Sequence, residues 1–470
     1  MSDLKHLLAS DLRDAPKQIR KILIANRGEV SLRVTRAAHD LGMKTVAIHS
    51  TVDSDSMHVR MADEAVCVGG PAGADSYLNI PSILSAAQIT GADAIHPGYG
   101  FLSENSNFAD LCQQHGLIWI GPSPQTIDTM GDKVRAKQAA IAAGIPCVPG
   151  SSGAVKTVQE GLKVGEEVGY PVLVKAASGG GGRGMKVAQD ESELESALAM
   201  AASEAKAAFG DDSVYIEKYL TKPRHIEIQV AADEHGNVIH LGERDCSLQR
   251  RHQKVLEECP SPALDSDQRQ EIGNLTAKAV GNLGYTSVGT VEYLYENGEF
   301  YFIEMNTRIQ VEHPVTELVT GVDLVAEQIR IASGLPLSRR QEDITFDGHA
   351  MEARINAEHP FTFMPSPGHV TGYHPPGGAG VRVDSHLYAG YKIPPYYDSM
   401  VAKIITYAND RDACLRRMKR ALHELIVVGV TTNVDLHNFI LNEPAFTNGE
   451  YAIHWLEDRL AELNETDEAS

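Results

Sequence analysis

The stretch from Glu299 to Glu317, EFYFIEMNTRIQVEHPVTE, constrains this chain more than any other. Side chains alternate along a strand, so Phe300, Phe302, Glu304 and Asn306 share one face while Tyr301, Ile303 and Met305 share the other. A carboxylate and an amide therefore leave an aromatic strand together, and Arg308, Gln310, Glu312 and His313 follow at once. A half-buried strand end tolerates that density of charge only if the groups are paired, solvated or bound to an ion. A second strand, VEYLY (Val291 to Tyr295), precedes it, and the intervening Asn297-Gly298 signals a hairpin. A two-residue loop would pair Glu292 with Ile303 and throw Glu292 and Glu304 onto opposite faces. A three-residue loop, Glu296 to Gly298, restores their common face and is the expected arrangement, with the carboxylates roughly 7 Å apart on a diagonal. Together with Asn306 they would offer hard oxygen ligands to Mg²⁺ (or Mn²⁺) held between the protein and substrate phosphates.

Upstream, the apolar segments KILIAN, TVAIHS, AVCV, AIHPGYG and IWIGP alternate with helix-like sequence such as VSLRVTRAAHDLGM. That alternation predicts an open parallel α/β sheet. The first turn, Arg27-Gly28-Glu29, has one glycine where a dinucleotide fingerprint needs three, so it is read as fold and not as an NAD site. A smaller unit follows, with strand PVLVK, a glycine loop, strand MKVA, a helix from Glu191 to Ala208 and strand VYIEKYL. The loop Ser178 to Gly184 matches G-x-G-x-x-G, yet a strand and not a helix comes next, and no G-K-[ST] occurs anywhere. A mobile hairpin loop whose bare N–H groups close over phosphates is the expectation. Lys133 and Lys175 flank this unit and read as clamps on a polyphosphate. Beyond Arg224, IEIQVAAD reads as a strand and ERDCSLQRRHQKV as a polar segment leading to the hairpin. Residues 361 to 395, rich in Pro, Gly and His, read as short strands and loops of an α+β tail domain, and the end past Leu463 is expected to fray.

A chain of 470 residues calls for two or three domains. The formal net charge of −21 opposes binding to nucleic acid or to anionic membranes, so an anionic substrate needs local basic groups and metal ions. Six scattered cysteines without a C-x-x-C pair read as reduced thiols, which suits a cytoplasmic location. No window approaches the roughly 18 apolar residues of a membrane span. Asp3, Asp11 and Asp14 argue against a transit peptide.

KILIANRGE, AIHPGYGFLSEN, MGDK, GGGGRGM, EKYL, RHIEIQ, ERDCSLQRRHQK, FIEMNTRIQVEHPVTE, RINAE and PPYYDSM together resemble the biotin carboxylases of the ATP-grasp superfamily, from about Lys21 to Glu457. The resemblance implies an N-terminal extension (1–17), a Rossmann-like domain (18–131), an ATP-grasp domain (132–334, lid about 148–220), a biotin carboxylase C-terminal domain (335–460) and an acidic tail (461–470). It further implies that ATP meets Lys133, Lys175, Gly180, Gly181, Gly182, Glu217, Lys218, Leu220, His225 and His252, with Glu292, Glu304 and Asn306 holding the metal. Lys254, Arg308, Gln310, Val311 and Glu312 would surround bicarbonate, with Glu312 as general base. Arg354 would face the biotin ureido oxygen, with Tyr99 and Asp398 near the ring. The family's glycine loop has one more glycine than this chain, which reads Lys175-Ala176-Ala177-Ser178 before its four. An Ala-Met-Lys-Met biotinylation motif is absent, so biotin is expected on a separate carrier protein and carboxyl transfer on a further subunit. Family analogy adds a homodimer. The implied reaction is ATP-dependent carboxylation of biotin by bicarbonate, serving acetyl-CoA carboxylase or, alternatively, a pyruvate, propionyl-CoA or 2-oxoglutarate carboxylase.

Overall fold

Short apolar strands open the chain, and each is followed by a segment with helical periodicity, so both faces of the sheet they form are covered. The strands β1 (Lys21–Ile24), β2 (Lys44–Ser50), β3 (Glu64–Gly69), β4 (Ala94–His96) and β5 (Ile118–Trp119) are all parallel, in the order β3-β2-β1-β4-β5. Ile22, Leu23 and Ile24 are wholly buried at its centre. The strand order reverses between β1 and β4, and an open α/β sheet leaves a crevice at such a point. The computed structural model describes residues 12–151, 153–176, 185–209 and 213–468. Among them no helix is long and apolar enough to cross a membrane.

The chain divides into two units, one made of Met1–Ile145, Arg224–Tyr293 and Ile303–Ser470, the other of Pro146–Pro223 and Leu294–Phe302. In the smaller unit β6 (Val172–Ala176) lies between β7 (Met185–Ala188) and β8 (Val214–Lys218), antiparallel to both. The helices Val158–Val168 and Glu191–Phe209 belong to this unit, and Leu194, Ala197, Leu198 and Ala201 of the second bury themselves with Val172, Val174 and Ile216. Lys175 is in register with Met185, so a strand does follow the glycine run. The loop itself, with Gly180, Gly181 and Gly182, lies outside the described residues.

In the larger unit β9 (Arg224–Ala232), β10 (Val238–Arg250) and β11 (Gln253–Cys259) form the middle of an eight-stranded sheet. With β12 (Ser287–Glu296), β13 (Glu299–Asn306), β14 (His349–Asn356) and two later strands, its order is β13-β12-β9-β10-β11-β14, then Met400–Ala408, then Val381–Ser385. One sheet thus takes strands from both the expected ATP-grasp and C-terminal segments. The helices Ser266–Asn282 and Arg411–Glu424 pack against it. The terminal helix, Trp455–Glu468, carries the backbone beyond Leu463, where fraying is expected.

One expectation is sharpened and another requires correction. The polar segment ERDCSLQRRHQKV begins as buried strand, with Glu243, Arg244, Asp245, Cys246 and Ser247 at most 1% exposed within β10. Burial is tolerated because each charge meets its opposite. Arg244 lies in register with Glu227 of β9, with Nε 2.5 Å from Oε1, Asp245 pairs with Arg224 at 2.9 Å and Glu243 with Arg269 at 2.7 Å. The hairpin loop between β12 and β13 has two residues, not three: Asn297 and Gly298 have φ of 54° and 88°. Positive φ at both positions gives the turn whose twist matches that of the flanking strands, and Asn and Gly adopt it at little cost. Strict alternation from that turn would separate Glu292 from the face of Glu304 and Asn306. Asn306 Nδ2 nevertheless donates to Glu292 Oε1 at 2.9 Å, so the pairing set at the turn does not persist to the end of β13.

Glu258 ties β11 to the C-terminal helices. Its carboxylate accepts from Arg411 Nε (2.7 Å) and Nη2 (3.0 Å) and from the Tyr451 hydroxyl, and it lies 2.7 Å from His349 Nε2. Burial favours the neutral acid, but His349 and Arg411 outweigh it and hold the pKa down at about 2 against an ordinary 4.5. Between those values the unfolded chain binds the proton and the native protein does not, so stability rises with pH across that window and is fully present above it. Glu258→Gln should cost about 3 kcal/mol at pH 7, with the deficit shrinking as pH falls below 4.5. Denaturant unfolding of both proteins from pH 3 to pH 7 checks this, and a deficit independent of pH would refute it.

Candidate active site

Four neighbouring strands and one loop of the larger unit deliver the charged groups to one place. β9 supplies His225 and Glu227, β10 supplies Arg244, β11 supplies Lys254, β12 supplies Glu292, and the loop after β13 supplies Arg308, Gln310, Val311 and Glu312. Lys254 lies at the centre: Nζ donates to Glu227 Oε2 at 2.5 Å, Glu312 Oε1 at 2.6 Å and Glu292 Oε1 at 2.9 Å. Burial works against the ammonium, yet three carboxylates overcome it and raise its pKa well above the usual lysine value. Burial alone would likewise neutralise Glu292 and Glu312. Lys254 and His225 hold Glu292 well below the carboxylate range, and Lys254, Arg354 and Arg244 do the same for Glu312.

Each of these groups is in turn fixed from behind. Arg244, wholly buried, donates to Glu227, Gln229, Thr290, Gln310 and Thr316, so its planar fork is fully used. Gln310 Nε2 donates to Glu292 Oε1 at 2.7 Å, and His225 Nε2 lies 2.9 Å from Glu292 Oε2. Arg354 of β14 bridges two acids, with Nη2 3.0 Å from Glu312 Oε2 and Nε 2.5 Å from Glu257 Oε1. Glu257 is pushed up to about 7, first by burial, with Arg354 opposing and Glu312 adding to the rise. Arg308 donates to Glu104 Oε2 and Asn306 Oδ1, both at 2.8 Å, and the buried Lys403 donates to the Val311 carbonyl at 2.7 Å. The loop that carries Glu312 is therefore anchored along its length.

The front members of this network line a cleft of about 310 Å³ that also receives His252, Glu304, Asn306 and Asp398. It brings together His225, Lys254, Glu292, Arg308, Gln310, Val311, Glu312 and Arg354, as the sequence leads one to expect. Tyr99 is not on its wall; its hydroxyl donates to Glu29, and its ring packs against the apolar core below the N-terminal sheet. Lys133 opens the helix Lys133–Ala142, is exposed, and lowers the pKa of Glu304 through its charge. Lys175, Glu217, Lys218 and Leu220 belong to the smaller unit, where the Lys175 ammonium donates to Glu217. That ion pair engages both groups assigned from sequence to different parts of a nucleotide. Glu227, Arg244, Glu257, Glu104 and Lys403 are the functional neighbours that sequence reasoning passed over. A charge at every second or third position of apolar strands, as in RHIEIQ, was the available signal.

The donors suit a hard divalent cation. Glu304 accepts no hydrogen bond among the described residues, and burial followed by repulsion from Glu292 raises its pKa. A cation between the two carboxylates would relieve both penalties. Asn306 Oδ1 accepts from Arg308, so its oxygen joins such a set only when Arg308 releases it. His225, Glu227 and Glu292 also offer ligand atoms within 4.8 Å of one another, but there Lys254 already supplies the positive charge.

Comparison with known proteins places this geometry in context. Residues 18–127 match the biotin carboxylase N-terminal domain, 132–340 the ATP-binding domain of the carbamoyl-phosphate synthase L chain, and 352–458 the biotin carboxylase C-terminal domain. The chain is similar to the biotin carboxylase of Haemophilus influenzae, at 58% identity over 448 residues, covering 95% of this chain and 100% of that one. It resembles the solved biotin carboxylase–β-γ-ATP complex from Campylobacter jejuni at TM-score 0.86 and 48% identity, covering 94% and 99% of the two chains. It also resembles the biotin carboxylase domain dimer of the Hydrogenobacter thermophilus 2-oxoglutarate carboxylase, solved with MgADP, ADP and bicarbonate. There the TM-score is 0.85 at 49% identity, with 94% and 98% covered.

Removing the central cation tests the electrostatics. Lys254→Met removes the cation shared by three buried carboxylates and should cost about 3–5 kcal/mol at pH 7. The native pKa values of Glu292 and Glu312 then rise, so the variant should recover stability as pH falls. Urea unfolding at pH 5 and pH 8 checks both signs, and a variant as stable as wild type at pH 8 would contradict the arrangement.

Proposed function

Since the chain belongs to the biotin carboxylase family, we propose how its residues divide the work of that reaction. The enzyme uses ATP and bicarbonate to carboxylate biotin, and it works with Mg²⁺. The observation that carries the residue assignment is Lys254 gripped by Glu292 and Glu312, with Arg308 and Arg354 on the same cleft. Bicarbonate, an anion and a poor nucleophile, binds among Lys254, Arg308, Gln310 and the backbone of Val311. Its arrival competes for Lys254 and brings a negative charge beside Glu312, and both effects raise the proton affinity of a carboxylate otherwise too weak a base. Glu312 then takes the bicarbonate proton, and the oxygen attacks the γ-phosphorus of ATP, giving carboxyphosphate and ADP.

The nucleotide is held by Lys133, Lys175 and the glycine run Gly180 to Gly182 at the phosphates, with Glu217, Lys218 and Leu220 at the base and His225 and His252 nearby. Glu292 and Glu304, joined by Asn306, hold Mg²⁺, which when bound neutralises charge on the transferring phosphoryl group. Carboxyphosphate breaks down to CO₂ and phosphate, and the phosphate removes the N1′ proton of biotin. Arg354 meets the negative charge that develops on the ureido oxygen, with Asp398 and Tyr99 beside the ring. Biotin arrives on a separate carrier protein, and a carboxyltransferase subunit passes the carboxyl group on. Acetyl-CoA is the proposed final acceptor; the 49% identity to a 2-oxoglutarate carboxylase domain supports a keto acid as the second reading.

ADP release with Mg-ATP and bicarbonate should rise when free biotin is added. Glu312→Gln should keep ATP affinity within a few-fold and reduce this turnover by about two to four orders of magnitude. Unchanged turnover in the variant would remove Glu312 from the mechanism. Glu304→Gln should move the Mg²⁺ titration of activity to higher concentration, and an unaltered titration would count against the metal assignment.

A further inference from the structure

The turn after β1, Asn26-Arg27-Gly28-Glu29, sits where a nucleotide-binding sheet would carry its phosphate loop, beside the reversal in strand order. It lacks the glycines for that task; Asn26 and Arg27 are committed to two other loops, and Glu29 to the first of these and, at 3.4 Å, to the buried Lys403 of the strand Met400–Ala408. Asn26 Nδ2 donates to the carbonyls of Pro97 and Tyr99, each at 2.7 Å. Gly98 between them has φ +62°, and a Cβ there would meet Asn26 Nδ2 at 2.9 Å, so the loop lies flat against the amide. Glu29 accepts from the Tyr99 hydroxyl, which fixes the far end of the same side chain.

Arg27 reaches the other loop. Its guanidinium grips Asp53 in a buried fork, Nε to Oδ2 at 2.6 Å and Nη2 to Oδ1 at 2.8 Å, and lies 4.1 Å over the ring of Tyr397. Tyr397 immediately precedes Asp398 on the segment PPYYDSM. Its hydroxyl is 2.6 Å from both Ser50 Oγ and the Pro71 carbonyl, and its ring stands edge-on to Tyr77, whose own hydroxyl donates to Asp53 at 2.6 Å. A stacked, bidentate arginine is a rigid spacer in a way that a lysine is not.

We propose that the Asn26-Arg27-Gly28-Glu29 turn is the positioning unit of the biotin pocket, holding the Tyr99 loop through Asn26 and Glu29 and the Asp398 loop through Arg27 and Tyr397. Asn26, Arg27 and Glu29 are positioning residues, since none of their side chains lines a cavity at Lys254 and Arg354, whereas Tyr397 also lines the cavity of about 440 Å³ that receives Lys254, Arg354 and Asp398. The inference rests on the reading that biotin meets Tyr99 and Asp398. A nucleotide-type turn has on this account become the hinge plate for the acceptor, while phosphate chemistry belongs to other strands.

The test separates the acceptor step from phosphoryl transfer in the full-length enzyme. Arg27→Lys and Asn26→Asp should lower kcat/KM for free biotin by about tenfold to a hundredfold, as a displacement of order 1 Å costs. Bicarbonate-dependent ATP hydrolysis without biotin, and the KM for ATP, should stay within about twofold. Since Arg27→Lys disturbs a buried ion pair, Tyr397→Phe serves as the milder variant: it keeps the ring under Arg27, loses only the hydroxyl contacts, and should show the same biotin-selective loss. Equal losses in both reactions, or no loss in either, would overturn the proposal. Tyr99→Phe and Asp398→Asn run alongside: if these two leave the biotin kinetics unchanged, the reading of the pocket fails and the inference with it. If they impair biotin use while the turn variants do not, the inference alone fails.

Discussion

A buried lysine bound by three carboxylates is the interaction on which the rest of the larger unit depends. Placing one ammonium and three acids out of water is unfavourable by many kcal/mol unless each charge is met at hydrogen-bond distance. Here Lys254 meets Glu227, Glu292 and Glu312, and Arg244 and Arg354 supply the positive charge still lacking. Such a network has one geometry in which it is tolerable, and so it fixes the relative positions of β9, β10, β11, β12, β14 and the Glu312 loop. That rigidity is also what catalysis requires, since charges already in place need no rearrangement when phosphate and bicarbonate charges shift.

The network's poise bears on the chemistry. A carboxylate held as strongly ionised as Glu312 is always free to accept a proton and reluctant to keep one. On the proposed roles, a bicarbonate that takes over Lys254 would correct this, because it would exchange attraction for repulsion at the base and so couple proton abstraction to occupancy by the substrate. Glu257, raised to about 7 behind Arg354, shows the opposite outcome for an acid in the same few ångströms. The two are separated by the number of cations each touches: Lys254 and Arg354 for Glu312, Arg354 alone for Glu257.

Much of the plan was legible in the residues. KILIAN, TVAIHS, AVCV, AIHPGYG and IWIGP mark the five strands of the parallel sheet, and Met185 to Ala188 forms a strand after the glycine run, as their patterns require. The cleft residues from Asn306 to Glu312 were legible for a different reason, since no exposed or ordinary buried strand end carries that much charge. That ERDCSLQRRHQKV begins as buried strand is not legible, because local polarity says nothing about partners far away in sequence. Arg244 is buried by Glu227, Gln229, Thr290, Gln310 and Thr316, up to 72 residues distant. A three-residue loop at Asn297-Gly298 follows only if Glu292 and Glu304 share a face of a regular hairpin. The strand itself departs from regular pairing instead.

The sequence by itself determined the alternation of strands and helices, the chemical kinds of group in the cleft and, through its motifs, the family. These depend on local periodicity and on which side chains are present, and both are written along the chain. Tertiary structure alone decided which charges became partners, which carboxylate is held ionised and which is pushed towards neutrality, and that Asn26, Arg27 and Glu29 face the Tyr99 and Tyr397 loops. Electrostatic energy varies with distance and burial, and those quantities exist only once strands as far apart in the chain as β9 and β14 lie in one sheet.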